Sequence, residues 1–190
     1  FYGSAARVYF SPMHSAGRVL HLGLSAYVQQ ANRQKQVSFS TIPEANPTNN
    51  GVLINTGTIS QLNNYKMLNA AVAYEQGSFE AQAEYLKVWL NRQNNLSNPN
   101  FNGYYVAANY FLTGESRDYS FSSGGFVGIT PVRKPSGAWQ LATQYSTANL
   151  VAQGIQGGKE RNITLGVNWY PNNHIKFTGD YIRAMARPSS

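Results

Sequence analysis

The sequence predicts an all-β fold, an antiparallel transmembrane β-barrel of which about eight strands are present, and three observations predict it. Apolar and polar residues alternate with a period of two over long segments. Those segments are as long as a tilted membrane crossing. Charge is scarce, with 12% charged against 13% aromatic residues in a chain of 190, whereas a soluble domain of this length carries about a quarter charged residues. Yet the hydrophobic fraction is only 42%, and no stretch approaches the roughly 20 apolar residues of a membrane helix. A sheet with one greasy face and one wetted face reconciles these facts, because the two faces cancel in the average.

Strands are read at 4–11, 19–30, 65–76, 78–90, 103–113 and 137–148, followed by a hairpin at the C-terminal end. In that hairpin Ile163, Leu165, Val167 and Trp169 fall on one face, with Asn162, Thr164, Gly166, Asn168 and Tyr170 on the other. After the turn residues Pro171-Asn172-Asn173, Ile175, Phe177, Gly179 and Tyr181 alternate with Lys176, Thr178 and Asp180. The segment from Ala70 to Leu90 is helical by propensity, but Phe79, Ala81, Ala83 and Tyr85 against Glu80, Gln82 and Glu84 keep the strand period, and pattern outranks propensity. Soluble strands cluster near five or six residues, whereas crossing a bilayer at a tilt takes about nine to eleven.

Connections follow the rule of bacterial barrels, in which short periplasmic turns alternate with longer external loops. They read as short (12–18), long (31–64), short (76–77), long (91–102), medium (114–136), medium (149–161) and short (171–174). The 114–136 connection breaks the alternation and is expected to hold extra structure, packed at the barrel rim or against a neighbouring chain. Tyr104, Tyr110, Trp139, Tyr145, Trp169 and Tyr181 stand near strand ends, where an interfacial ring is buried while its polar end stays wet.

Little in the sequence suggests catalysis. Cys is absent, and His14, His21 and His174 lack carboxylates at any metal-ligand spacing. Ser123-Gly124-Gly125 and Gln156-Gly157-Gly158 have no following helix or lysine and read as loops. Neither an enzyme, a cofactor nor a metal is expected. The net charge of +7 suits anionic partners, and because the basic residues are spread rather than clustered, small anions are favoured over nucleic acid.

Alternation places Arg7, His21, Glu80, Glu84, Lys176 and Asp180 on the inward face, as pore-lining candidates whose charge shapes the field felt by a permeating ion. Arg33, Lys35, Lys66, Arg92, Lys159, Arg161 and Arg183 fall near external mouths. Segments 31–64 and 91–102 carry Arg33, Lys35 and Arg92 against Glu44 alone, an excess that enriches anions at an entrance. Taken singly, each is equally readable as a solvated loop charge or as a partner of lipopolysaccharide phosphate.

Several longer phrases resemble the phosphate-selective porin O and P family. They are Gly17-Arg18-Val19-Leu20-His21-Leu22-Gly23, Asn55-Thr56-Gly57-Thr58-Ile59, the run from Tyr105 to Arg117, Gly137-Ala138-Trp139-Gln140-Leu141, and the run from Gly157 to Pro171. The resemblance implies a bacterial outer-membrane porin of about 16 strands, a homotrimer in contact with outer-membrane lipid and lipopolysaccharide, that passes phosphate or polyphosphate. Residues 1–190 are then expected to form a single barrel portion from its second half, lacking the N-terminal half, the constriction loop and the closing C-terminal strand. The chain opens at Phe1 without the basic region and apolar run of an export signal, as expected of a mature chain or a fragment.

Two other architectures share the alternation. A complete eight-stranded barrel with an anchoring or adhesion role requires Ser4–Ser11 to pair with Lys176–Arg183. A soluble ligand-binding barrel requires the apolar face to point inward.

Overall fold

A computed structural model describes residues 2–42, 44, 51–129 and 135–187. Eight long strands make one antiparallel sheet: β1 (Gly3–Ser15), β2 (Arg18–Gln30), β5 (Leu62–Gln76), β6 (Phe79–Arg92), β7 (Asn100–Phe111), β10 (Ala138–Ala152), β11 (Ile155–Asn172) and β12 (Ile175–Arg187), hydrogen-bonded in that order. Two short hairpins stand apart, β3 (Ser40–Thr41) with β4 (Ile54–Asn55), and β8 (Arg117–Ser120) with β9 (Gly125–Ile129).

The sheet is a meander in which each long strand pairs with the one before it in space. Its lower end carries the tight turns at 16–17, 77–78 and 173–174 together with the connection 112–137; its upper end carries 31–61, 93–99 and 153–154. Gly17 and Gly77 adopt φ of 65° and 58°, a left-handed conformation that two-residue hairpin turns demand and that a Cβ resists. β1 bulges between Phe10 and Met13, where Pro12 has no N–H to offer a ladder. β1 and β12 are opposite edges of the sheet, so the pairing of Ser4–Ser11 with Lys176–Arg183 required by a closed eight-stranded barrel is not formed.

Burial decides which face is which, and it is inverted relative to a soluble protein. On β11 Ile163, Leu165 and Val167 are 39%, 52% and 43% exposed, while Asn162 and Asn168 are 4% and 5% exposed. The same holds across the sheet: Val8, Phe10, Leu22, Leu24, Val72, Val106, Tyr110 and Leu141 are exposed, and Glu75, Glu80, Gln140 and Glu160 are buried. The soluble-barrel alternative needs the reverse.

The polar face is covered because two segments fold back over it. From the upper end, residues 31–61 lay Ile54 and Ile59 on Leu62, Val88, Leu90, Phe101, Leu150 and Ile155, which form the buried apolar cluster. Thr41 Oγ1 donates to Glu160, and Glu44 accepts from Gln144, Ser146 and Thr164. From the lower end, the β8–β9 hairpin lies against β1 and β2. The 112–137 connection does hold extra structure, but its described part packs on the polar face.

Two connections are shorter than the sequence reading gives them. β1 runs through Ser15, which shortens the expected 12–18 connection to Ala16-Gly17. The expected 149–161 connection does not exist: β10 and β11 continue through it and turn at Gln153-Gly154, with Asn149 opposite Lys159. Gln156-Gly157-Gly158 is therefore strand rather than loop, and a side chain at Gly157 would collide with Leu150.

Candidate pore-lining face

Directly opposed residues of antiparallel neighbours point to the same face, so the register sorts every strand residue. One row joins Val19, Glu75, Glu80, Asn109, Ala142, Gly166 and Asp180; the next joins His21, Ala73, Gln82, Ala107, Gln144 and Thr164. Arg7 faces the same way opposite Ser25, and Glu84 lies between Ala71 and Tyr105. Lys176 holds its ammonium 5.7 Å from the Tyr170 ring centroid, on the polar side of β12. All six residues that alternation placed inward share this face.

Arg7, His21 and Glu84 come together with Gln82, Arg117 and Tyr119 around a cleft of about 200 Å³. The β8–β9 hairpin supplies the other half of the arrangement. Tyr119 Oη lies 2.7 Å from both His21 Nδ1 and Ser11 Oγ, and Arg7 Nη2 donates to the Gly124 carbonyl at 2.9 Å. Arg117 is held from three sides: its guanidinium stands 3.6 Å from Glu80, its backbone N–H donates to Glu75 at 3.0 Å, and its Nε–H donates to the Gly128 carbonyl at 3.0 Å. Glu84 accepts from Tyr105 at 2.8 Å and Asn69 at 3.0 Å. Lys176 and Asp180 lie apart from this group, on the far edge strand.

Sequence reasoning missed Glu75, Arg117, Tyr119 and Glu160. Glu75 was within reach of it, because a two-residue turn at Gly77-Ser78 sets Glu75 opposite Glu80. The hairpin residues were not, because their partners lie on strands distant in sequence, Ser11 and His21 for Tyr119 and Glu75 and Glu80 for Arg117.

The basic residues assigned to external mouths divide into two groups. Arg33 and Lys35 lie in the connection after β2, where Lys35 Nζ donates to Gln93 at 3.1 Å, and Arg92 Nε donates to the Ser60 carbonyl at 3.0 Å. Lys66, Lys159, Arg161 and Arg183 instead fall on the apolar face, in register with Trp89, Asn149, Thr147 and Ile163. On the eight long strands the carboxylates Glu75, Glu80, Glu84, Glu160 and Asp180 face the polar side, with Arg7, Arg92 and Lys176 as the cations of those strands there. The long strands themselves therefore carry no positive excess on the polar face.

Glu44 ties the 31–61 connection to the wall. Burial opposes its ionisation, but hydrogen bonds from Ser146, Thr164 and Gln144 outweigh burial and hold its carboxyl below the ordinary carboxylate range. A group whose pKa is depressed on docking stabilises the docked state above its ordinary value and loses that contribution as pH falls through the lowered one. Acidification is thus expected to loosen this connection, read as faster proteolysis between Ala31 and Gln61. Glu44→Gln is expected to cleave at a rate that no longer rises with acidity.

An antiparallel wall of long strands, apolar outside and polar within, is the arrangement of a porin-class β-barrel. The chain belongs to the phosphate-selective porin O and P family, whose family model matches residues 2–189. It is 30% identical over 200 residues to Porin O of Pseudomonas aeruginosa, covering 92% of this chain and 46% of that protein. It is 35% identical over 88 residues to an uncharacterized protein of Caulobacter vibrioides, covering 44% of this chain and 17% of the relative. The chain thus spans less than half the length of either relative. Its family places it in the bacterial outer membrane.

Proposed function

We propose that this chain is part of the wall of a transmembrane β-barrel, a water-filled channel for passive diffusion of small anions with phosphate among them. The observation that carries this reading is the inverted burial of the eight-stranded sheet: apolar residues bare, polar residues covered. In lipid every backbone polar group needs a partner, which only helices and closed barrels provide. The unpaired edges of β1 and β12 therefore call for further strands, consistent with the share of Porin O that the chain covers and with an expected total of about 16. In this reading the wall carries no catalytic group. Assembly of three copies is the oligomeric state proposed for the whole protein.

The proposed water path runs beside Arg7, His21, Glu80, Glu84, Lys176 and Asp180, with Arg33, Lys35 and Arg92 toward the mouth. Among its carboxylates Glu80 is paired with Arg117, and Glu84 accepts hydrogen bonds from Tyr105 and Asn69. Arg7 contacts backbone carbonyls and Lys176 a ring face; among the described residues neither cation is paired with a carboxylate, and both act on a passing anion.

Planar-bilayer recording of the full-length protein tests this. The reversal potential in a salt gradient is expected to report anion preference, and added phosphate to compete with chloride current. Arg7→Glu and Lys176→Glu, each changing the local charge by two units, are expected to lower that preference by several-fold. Greater cation than anion permeability of the wild type overturns the anion reading, and no current at all overturns the channel.

A further inference from the structure

The geometry points to a lipid-phosphate site on the outward face of β11 and β12, where Lys159, Arg161, Arg183 and Arg187 bind the phosphate groups of lipopolysaccharide in the external leaflet. The site rests on the proposed orientation of the barrel in its membrane. Three independent observations carry it: how charge is sorted between the two faces, where the cluster stands on the strand, and how its members are opposed.

Outward positions of the long strands hold Arg18, Lys66, Lys87, Lys159, Arg161, Arg183 and Arg187, and no Asp or Glu; every carboxylate of these long strands faces the polar side. Membrane insertion alone does not produce this sorting. Arg and Lys cost about 2–4 kcal/mol on the lipid face at the midplane, and Asp and Glu cost less. A bias toward the more expensive sign calls for an anionic partner.

The position of the cluster fits a membrane boundary. Trp139, Trp169 and Phe177 stack at the lower end of the same face, with ring centroids 5.6 Å and 5.5 Å apart, as interfacial aromatics do. Ten residues separate Trp169 from Lys159, roughly 33 Å along a strand and about 25 Å along the axis at the usual tilt, the height of the apolar band of such barrels. Lys159 therefore stands where headgroups begin. Arg161 and Arg183 lie further into the band and reach back on their long stems.

The cluster is also frustrated without an anion. Lys159 directly opposes Arg187 across the β11–β12 ladder, while Arg161 opposes Met185 and so lies diagonal to both Arg183 and Arg187. Like charges directly opposed on one face are destabilising. Among the described residues no carboxylate stands within ion-pair distance of any of the four. A phosphate set between them relieves the repulsion and takes bidentate hydrogen bonds from the guanidinium forks. Asn149, opposite Lys159 on β10, adds a neutral donor beside them.

The test uses the full-length protein reconstituted in phosphatidylcholine nanodiscs and titrated with purified lipopolysaccharide, followed by thermal unfolding. Wild type is expected to be stabilised in proportion to added lipopolysaccharide. Lys159→Gln/Arg161→Gln/Arg183→Gln/Arg187→Gln is expected to bind about a hundredfold more weakly, given the contribution of each surface cation to anionic-lipid attraction. Arg18→Gln, at the opposite end of the same face, is expected to bind as wild type. Should the fourfold variant fail to fold, Arg161→Gln/Arg183→Gln serves with a smaller expected loss of about tenfold. Channel current in lipopolysaccharide-free bilayers is expected to be unchanged in these variants, which separates failure of the lipid site from failure of the channel reading. Wild-type lipopolysaccharide affinity in the variant overturns the proposal. So does equal protection of wild type by inorganic phosphate alone, which makes the cluster a free-anion site. Dissociation of an oligomer by the substitutions also overturns it, because the face is then covered by a second copy.

Discussion

Leu165→Arg is expected to cost about 2–4 kcal/mol of stability when the full-length protein is unfolded from a bilayer, whereas Thr164→Arg, one residue away, costs less than about 1 kcal/mol. Leu165 lies between the aromatic cluster at Trp169 and the cations from Lys159, near the middle of the apolar band, and it is 52% exposed. That exposure is what makes the comparison decisive. For a residue so open in a water-soluble protein, a polar substitution stays within about 0.5 kcal/mol, since nothing is lost but a little apolar contact. In lipid the same openness means that the guanidinium must enter hydrocarbon or drag water to itself. Thr164 faces the side where Glu44, Gln144 and Asn162 already supply polar company, and a cation there meets carboxylate and water. Urea unfolding of the two variants in lipid vesicles checks the difference. Equal and small costs at both positions would refute the transmembrane orientation, and the lipid site on β11 and β12 with it.

The same contrast of solvents explains what was legible in the sequence. Alternation arises only where the two faces of a strand meet different surroundings, and between Asn162 and Tyr170 it is unbroken because one face is bare and the other is covered by polar groups. Arg7, His21, Glu80, Glu84, Lys176 and Asp180 were sorted to the covered face for that reason. From the level of Lys159 upward the outward face is itself polar, with Asn149 and Asn102 in register with Lys159 and Gln156 beyond it, so the period fades and β10 and β11 read as a loop where they are still paired. The same fading puts Lys159 and Arg161 in the expected 149–161 connection, and Lys66 and Arg183 are read near the mouths. Register, once known, puts them on the outside.

Inward folding of the connections was legible only as an anomaly of length. The 114–136 stretch breaks the rhythm of short and long connections, but its partners Ser11, His21, Glu75 and Glu80 lie on strands that no local pattern links to it. Its anchoring depends on a few polar contacts and on charge balance, which are specified by pairs of residues distant in sequence. The apolar cluster under residues 31–61 is hidden for a related reason. Val88, Leu90 and Phe101 occupy inward positions on the otherwise polar face, and the return of Ile54 and Ile59 makes those positions dry.

Arg117→Ala is expected to release the β8–β9 hairpin from the wall. Glu75 and Glu80 oppose one another directly across β5 and β6, both almost fully buried, and the cation beside them is Arg117. Directly opposed like charges are unfavourable even on an exposed ladder, and a buried carboxylate left without its partner is more so. Allowing for the partial exposure of the guanidinium, its loss is expected to shift hairpin docking by about 1–3 kcal/mol, or roughly five- to 150-fold in the docked fraction. The remaining ties include Tyr119 to His21 and Ser11, Arg7 to the Gly124 carbonyl and Tyr9 to the Phe121 carbonyl, single hydrogen bonds worth about 1 kcal/mol each. Release is read in two ways: faster proteolysis between Ser120 and Gly125, and a larger single-channel conductance as the hairpin leaves the water path. The compensating variant Arg117→Ala/Glu75→Gln/Glu80→Gln removes the stranded charge together with its partner. It is expected to recover most of the protection, because two amides opposite one another hydrogen-bond where two carboxylates repel. Recovery distinguishes charge balance from simple loss of side-chain packing, which the glutamines do not restore. An Arg117→Ala protein with unaltered cleavage and conductance would show that the hairpin is held by its aromatic contacts to the wall, Tyr119 with His21 and Phe121 with Tyr9 and His14, and that the buried carboxylates find their compensation in water.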